Sequence, residues 1–292
     1  MMKRISVWVE AMRLRTLPVS VAGVIAGIAY AILGGSFKAA PALLCLAFAV
    51  LAQTASNFAN EYYDYKAGLD RPGREGPRRG VTEGDITPRA MRNATFLTLG
   101  LACCVGLCLI VWGGWWLIAV GAAIAVGVIA YSAGPYPLSH HALGEAAVLC
   151  FFGIIPVNMT YYLQAGTFGT SVFWGSVAIG LMGANVLVVN NYRDLEDDRA
   201  VGKHTLAVLA GRGFAGTLYL CNGWIAAALT VPVFYAQAAA AVAIPAAYAL
   251  LHTLLWATVI SRRGARLNPL LGMTAMLMLV YSLAFLVFAA LR

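Results

Sequence analysis

The chain has 292 residues, 61% of them apolar or aromatic and only 11% charged, with a formal net charge of +8. A soluble domain carries about a quarter charged residues, so a soluble enzyme, a disordered chain, a collagen-like repeat and a disulfide scaffold are all excluded. What remains is an all-α polytopic membrane protein. In that setting a basic balance reflects loop charge beside the bilayer rather than nucleic-acid binding.

Residues 1–16 come first. Ile5, Trp8, Val9 and Met12 recur at helical spacing among Lys3, Arg4 and Arg13, which predicts an interfacial helix leading into the membrane. No cleavage pattern follows, so the first apolar segment is expected to stay as an anchor. Nine apolar segments come next, at about 17–35, 39–59, 94–112, 115–132, 143–163, 172–190, 215–235, 238–258 and 269–290. A transmembrane helix needs about 20 such residues. The expectation is one membrane domain over 1–292, with nine transmembrane helices and two polar active-site loops at 60–93 and 191–214.

Nine spans put the two termini on opposite faces. Eighteen of the 20 Lys and Arg then fall on the N-terminal side, and only Lys38 and Arg292 lie opposite. Such a bias predicts a cytoplasmic N-terminus. All 12 Asp and Glu fall on that same side, and the positive-inside rule makes no demand on acids. A secondary transporter needs a path through both faces, so the asymmetry favours an enzyme working from one side. The six cysteines all lie in apolar stretches and form no CxxC pair, and the four histidines show no metal-ligand spacing.

Two acidic segments carry the chemistry. Asn60-Glu61-Tyr62-Tyr63-Asp64 and Asn190-Asn191-Tyr192-Arg193-Asp194 both read N-x-Y-x-D, 130 residues apart. Asn57, Asn60 and Asp64 share one helical face, and Asp194 and Asp198 share another. Glu61 and Asp70 flank the first set. Carboxylates gathered at a membrane boundary pair with bases or bind cations. Oxygen donors without His or Cys suit a hard cation such as Mg²⁺, which takes one or two carboxylates and shares a substrate phosphate. The nearby Lys66, Arg74, Arg78, Arg79, Arg193 and Lys203 suit a polyanion. Acids for a metal beside bases for oxygens suggest a diphosphate. In an apolar helix cavity an allylic diphosphate can ionise and its cation be shielded from water, ready for attack by an electron-rich ring.

At these residues the sequence resembles the UbiA-type intramembrane aromatic prenyltransferases. NFANEYYDYKAGLD, Asn57 through Asp70, is similar to that family's first acidic motif. Asp194-Leu195-Glu196-Asp197-Asp198 is similar to its second. The Gly68-Leu69-Asp70 ending resembles the branch that acts on 1,4-dihydroxy-2-naphthoate. Further resemblance lies in Arg15-Thr16-Leu17-Pro18, Gly76-Pro77-Arg78-Arg79-Gly80, Tyr131 to Pro137 (YSAGPYP), Leu143-Gly144-Glu145 and Gly202-Lys203-His204-Thr205-Leu206. One departure stands out. Glu61 occupies the place of the family's usual Asp and reaches one methylene further.

The resemblance implies nine helices around a central cavity. The one-sided charge puts the active site on the cytoplasmic side, and with no organelle-targeting extension evident the expected location is a bacterial inner membrane. The resemblance also implies Mg²⁺ held by Asn60, Glu61, Asp64, Asp194 and Asp198, supported by Asn57 and Asp70. Lys66, Arg78, Arg193 and Lys203 would hold the diphosphate, although Arg193 could instead pair with Asp197 on its own helix face. Tyr131 would face the reacting carbon, and Arg13 or Arg15 the acceptor carboxylate. Glu145 would orient a base, and Asn158 and Tyr161 would line the cavity or bond between helices. The implied reaction transfers a polyprenyl group from polyprenyl diphosphate to 1,4-dihydroxy-2-naphthoate, with loss of CO₂, in menaquinone synthesis. Within the family, 4-hydroxybenzoate, homogentisate or a related naphthoate are alternative acceptors. Outside it the rivals are a transporter, a phospholipid head-group transferase, whose D-G-x-x-A-R arrangement is absent, and a non-catalytic scaffold.

Overall fold

The computed structural model describes residues 2–70 and 76–292, with side chains from residue 5. Arg74, read above among the bases, lies outside the described residues, as do the side chains of Lys3 and Arg4. Among the described residues the regular structure is helical: α1 (Met2–Ala11), α2 (Leu17–Leu33), α3 (Ala39–Lys66), α4 (Pro88–Gly113), α5 (Leu117–Ala130), α6 (Gly144–Ala165), α7 (Thr170–Arg193), α8 (Leu195–Ala200), α9 (Leu206–Gln237), α10 (Ala239–Ser261) and α11 (Gly264–Ala290). Seven of these are long and apolar enough to cross a membrane, namely α3, α4, α6, α7, α9, α10 and α11. The apolar α2 and α5 are shorter.

Helix ends differ from the hydropathy reading where polar residues continue a helix. α3 does not stop at residue 59 but runs to Lys66, so the first acidic motif is helical rather than part of a loop. It ends where Gly68 takes φ +70°. There the amide of Leu69 donates to the carbonyl of Asp64 and the amide of Gly68 to that of Tyr65, both at 3.0 Å, a two-bond helix stop that needs a left-handed residue. α4 starts early, at Pro88, capped by the Thr87 hydroxyl accepting from the Ala90 amide at 3.2 Å. The expected 60–93 loop therefore shrinks from both sides. The expected 191–214 loop is also mostly helical, through the end of α7, all of α8 and the first turns of α9. The N-terminal helix is shorter than 1–16, because the chain turns at Arg13 (φ 52°) before α2 begins.

Packing decides which helices surround the site. In α7, 72% of the most apolar window is buried inside the protein, against 17% in α4. α7 is therefore the central helix and α4 a peripheral one with a broad outward face. α7 packs along α9 and approaches α6 closely. A Cβ on Gly153 would lie 2.3 Å from the Gly180 Cα, so the α6–α7 contact requires glycine. Polar side chains join helices inside the bundle, where no water competes for them. The Tyr219 carbonyl accepts from Asn185 at 3.0 Å and bonds His252 at 3.0 Å, tying α7, α9 and α10 together. At the end that carries both acidic motifs, Ala11, Phe58, Val81, Ile86 and Met91 form a small core. Trp8 joins it, its ring edge-on to Phe58 at 5.7 Å. This core fixes α1 and the 76–87 segment against α3.

Candidate active site

The last turns of α3 and α7 face each other across a cavity of about 580 Å³. Asn57, Asn60 and Asp64 line it from α3, Asn190, Asn191 and Arg193 from α7, and Asp194 from the position just after α7. Asp198 of α8 and Lys203 beyond it close one side, and Arg13, Arg15, Arg78 and Arg79 the other. A second, apolar cavity of about 370 Å³ runs between α3, α4, α5 and α6. The two share Gln53, Ser56, Tyr131, Val148 and Phe152 as lining. A charged chamber thus opens directly onto an apolar one, with Tyr131 at the junction.

Asn60 is the hub of the α3 side. Its Oδ1 accepts from Arg13 Nη2 at 2.6 Å and from Arg79 Nη2 at 3.0 Å. Its Nδ2 donates to Asp64 Oδ2 at 3.1 Å and to the Ser132 hydroxyl at 3.0 Å. One amide therefore orients two guanidinium groups and one carboxylate. Asp64 also meets His140 Nε2 at 3.4 Å and Lys203 Nζ at 3.9 Å. Lys203 reaches on to Asp198 at 3.4 Å, so a single ammonium bridges the two motifs. Asn57 donates to the Met12 carbonyl at 2.8 Å and ties the N-terminal turn to α3.

Arg193 folds onto its neighbour. Its Nε and Nη2 contact the two oxygens of Asp194 at 2.6 and 2.7 Å, and its remaining donors reach Asn268 and Asn190, each at 2.8 Å. The alternative of an Arg193–Asp197 pair is replaced by this one. Chain geometry explains it: α7 ends at Arg193, so Asp197 is not one turn further along the same helix.

Other predicted residues sit elsewhere. Lys66 is exposed in the last turn of α3 and does not line the cavity. The Asp70 carboxylate lies behind the lining, paired with Arg79 Nε at 3.3 Å. Glu61 is 1% exposed and faces the 76–87 segment, where Oε1 accepts from the Val81 amide at 3.0 Å. Glu145 is buried and accepts from Asn191 at 2.9 Å. Asn158 spends its amide on the Ser176 hydroxyl and the Ile154 carbonyl, both at 2.8 Å, a bond between helices and not a cavity wall. Tyr161 lies at the opposite end of the bundle, its hydroxyl beside Gly34. Arg78 and Arg15 are exposed on the rim, and Arg78 pairs there with Asp85.

Sequence reasoning grouped Arg79 with its neighbours and passed over His140. Nothing in GPRRG separates Arg78 from Arg79, yet one is exposed and the other 7% exposed with Nη1 lacking a hydrogen-bond partner. His140 is 76 residues from Asp64, and no spacing rule joins them.

The donor chemistry fits Mg²⁺ of a particular kind. Among the described residues no three His, Cys, Asp or Glu side chains form a ready cage. Asp64, Asp194 and Asp198 nevertheless face one chamber, each balanced by a base. Mg²⁺ uses one or two carboxylates and completes its shell with water and phosphate oxygens, so these residues suit a metal arriving with a diphosphate.

Known proteins resemble this chain in sequence and in fold. Residues 20–283 match the profile of the UbiA prenyltransferase family. The 1,4-dihydroxy-2-naphthoate octaprenyltransferase of Escherichia coli is 38% identical over 224 residues, spanning 75% of this chain and 73% of that one. The enzyme of the same name from Mycobacterium tuberculosis is 37% identical over 278 residues, spanning 95% and 94%. Among solved structures, an apo UbiA homologue from Aeropyrum pernix superposes with TM-score 0.72 at 17% identity, covering 94% of this chain and 98% of that one. A UbiA homologue from Archaeoglobus fulgidus bound to DMAPP and Mg²⁺ gives TM-score 0.66 at 16% identity, with coverage of 94% and 98%. On sequence and fold, the chain belongs to the UbiA prenyltransferase family.

Proposed function

We propose that this protein transfers a polyprenyl group from polyprenyl diphosphate to 1,4-dihydroxy-2-naphthoate, releasing diphosphate and CO₂ and giving demethylmenaquinol for menaquinone synthesis. The observation that carries the reading is the junction at Tyr131, where the charged chamber meets the apolar one. The naphthoate acceptor follows the names of the relatives at 37–38% identity.

The diphosphate sits in the charged chamber between Arg79, Arg193 and Lys203. Asp64, Asp194 and Asp198, with Asn60 and Asn57 beside them, would hold Mg²⁺, whose charge would stabilise the leaving diphosphate. The allylic C–O bond breaks and its electron pair leaves with the diphosphate. The prenyl tail lies in the apolar chamber, which excludes water from the cation. Tyr131 presents its ring at that cation. The naphthoate carbon that bears the carboxylate forms the new C–C bond, with the carboxylate directed towards Arg13 and the rim Arg15. Loss of CO₂ returns an electron pair to the ring and restores its aromaticity, so no protein base is needed. In the membrane we place α2 and α5 as two further spans, nine in all. The N-terminus and the charged chamber then face the cytoplasm across a bacterial inner membrane, in keeping with the one-sided charge.

The test is prenyl transfer by purified protein in detergent with Mg²⁺, offering 1,4-dihydroxy-2-naphthoate and 4-hydroxybenzoate in parallel and reading products by mass. A Mg-dependent demethylmenaquinone mass with loss of CO₂ supports the reading. Product only from 4-hydroxybenzoate overturns the acceptor. Uptake of substrate into vesicles without chemical conversion overturns the enzyme.

A further inference from the structure

Glu61 is the acidic residue of the first motif that does not behave like its neighbours. It is 1% exposed and absent from the lining of both cavities. Its carboxylate meets the 76–87 segment. Oε1 accepts from the Val81 amide at 3.0 Å, and the Gly80 amide lies beside the same carboxylate. Both amides belong to the turn that directly follows Arg79. That turn is tightly held on its other side, since a Cβ on Gly80 would come within 2.9 Å of Val7 and 3.0 Å of Ile86.

Arg79 is what this turn delivers. Its side chain crosses back over α3 to Asn60 Oδ1 at 3.0 Å, to Asp70 at 3.3 Å and to Asp64 at 3.8 Å. Its Nε, beside the Asp70 carboxylate, and its Nη1 are buried without a hydrogen-bond partner, and it lines the charged chamber. A guanidinium held on one edge with a donor left over is prepared for an oxyanion. The chain leaves Arg79 through the turn whose Val81 amide Glu61 holds. An aspartate at 61 is one methylene shorter and does not span the same gap from α3.

We propose that Glu61 is a positioning residue rather than a metal ligand. It clamps the Val81 amide so that Arg79 projects into the chamber and meets the substrate's phosphate oxygens. Any side chain that keeps a hydrogen-bond acceptor at that reach does the same work, charged or not. The need is for a satisfied buried amide at Val81, and leaving such a group unpaired is costly.

Two independent readouts test it on the full chain in detergent. Hydrogen exchange at the Val81 amide, followed by mass spectrometry, does not depend on any reaction. Protection is expected in the wild type and in Glu61→Gln, and is lost in Glu61→Ala and reduced in Glu61→Asp. The kinetic arm rests on the prenyl-transfer reading. Glu61→Gln is expected within about threefold of wild type, because the amide oxygen keeps the acceptor. Glu61→Ala is expected to raise KM for the polyprenyl diphosphate by about tenfold or more, the loss of one charged hydrogen bond, and Arg79→Lys to add little on top of it. The Mg²⁺ concentration for half-maximal rate is expected to stay the same in Glu61→Gln. A large rise in that concentration in Glu61→Gln, with exchange unchanged, makes Glu61 a metal ligand and overturns the proposal. Equal exchange in wild type and Glu61→Ala overturns it as well. Absence of any prenyl transfer by the wild type defeats the functional reading alone and leaves the exchange result standing.

Discussion

Arg193 and Asp194 are neighbours in sequence and partners in space, with Nε 2.6 Å from Oδ1 and Nη2 2.7 Å from Oδ2. The pair is buried, each side chain 1% exposed. Removing one member of a buried pair leaves the other charged and unsolvated, at a cost of about 3–5 kcal/mol. An alanine at either position would therefore confuse folding with catalysis. Asp194→Asn separates them, because the amide oxygen still accepts from the guanidinium. The expected outcome is a turnover loss of at least about 100-fold with only a few degrees' change in Tm, the scale of lost electrostatic stabilisation of a leaving group. Turnover in detergent and thermal unfolding of the same sample check it.

Lys203 carries the link between motifs, 3.4 Å from Asp198 and 3.9 Å from Asp64. Its two carboxylates come from segments more than a hundred residues apart. Lys203→Met keeps most of the side-chain volume and removes the charge. The two carboxylates then repel across the chamber, and the diphosphate loses a cation. KM for the polyprenyl diphosphate is expected to rise by about 10–100-fold, in the range of a lost charge-assisted contact, with a smaller change in KM for the acceptor. Initial rates with each substrate varied in turn measure the difference. An equal rise in both would place Lys203 outside the diphosphate site.

Asn158 illustrates a polar residue inside a span with a different job. Its amide holds the Ser176 hydroxyl of α7 at 2.8 Å. Asn158→Leu is expected to reduce stability by about 1 kcal/mol, as for other hydrogen bonds between membrane helices, and to leave both KM values unchanged. Unfolding in a mixed detergent series and steady-state kinetics together decide between this and a role in the cavity wall.

How far the sequence could be read follows the physics of each signal. Hydropathy located the apolar segments because each is a run of local character. It misplaced their ends, since α3 carries Asn60, Glu61 and Asp64 in helical turns that are no longer apolar. Periodicity put Asn57, Asn60 and Asp64 on one face, and that face does line the chamber. It could not assign Glu61, because one residue's offset of about 100° leaves open whether the side chain meets the chamber or the returning loop. Arg79 and His140 were illegible for a related reason. Their partners Asn60 and Asp64 are brought to them by tertiary packing across 19 and 76 residues, and no local pattern encodes that. Asn158 and Tyr161 show the converse: polarity within a span marks a hydrogen bond or a helix end as readily as a binding site.

The apolar chamber gives the prediction with the sharpest chemical contrast. Gly121 of α5 lines it, and a Cβ built there meets nothing within 4 Å. A larger side chain at this position therefore enters empty space instead of displacing a neighbour, so the fold is expected to survive. Gly121→Leu would fill part of a cavity of about 370 Å³ that the prenyl tail otherwise occupies. A short donor such as geranyl diphosphate keeps its reacting end near Tyr131 and is expected to be used almost as before. A long polyprenyl diphosphate must route its tail past the new side chain, and its kcat/KM is expected to fall by about tenfold or more, the usual scale for a few methylenes displaced from an apolar site. Competition between the two donors in one reaction, with products separated by mass, reads the ratio directly. An unchanged ratio would mean that the tail leaves the charged chamber by another route and that the apolar chamber is not its path.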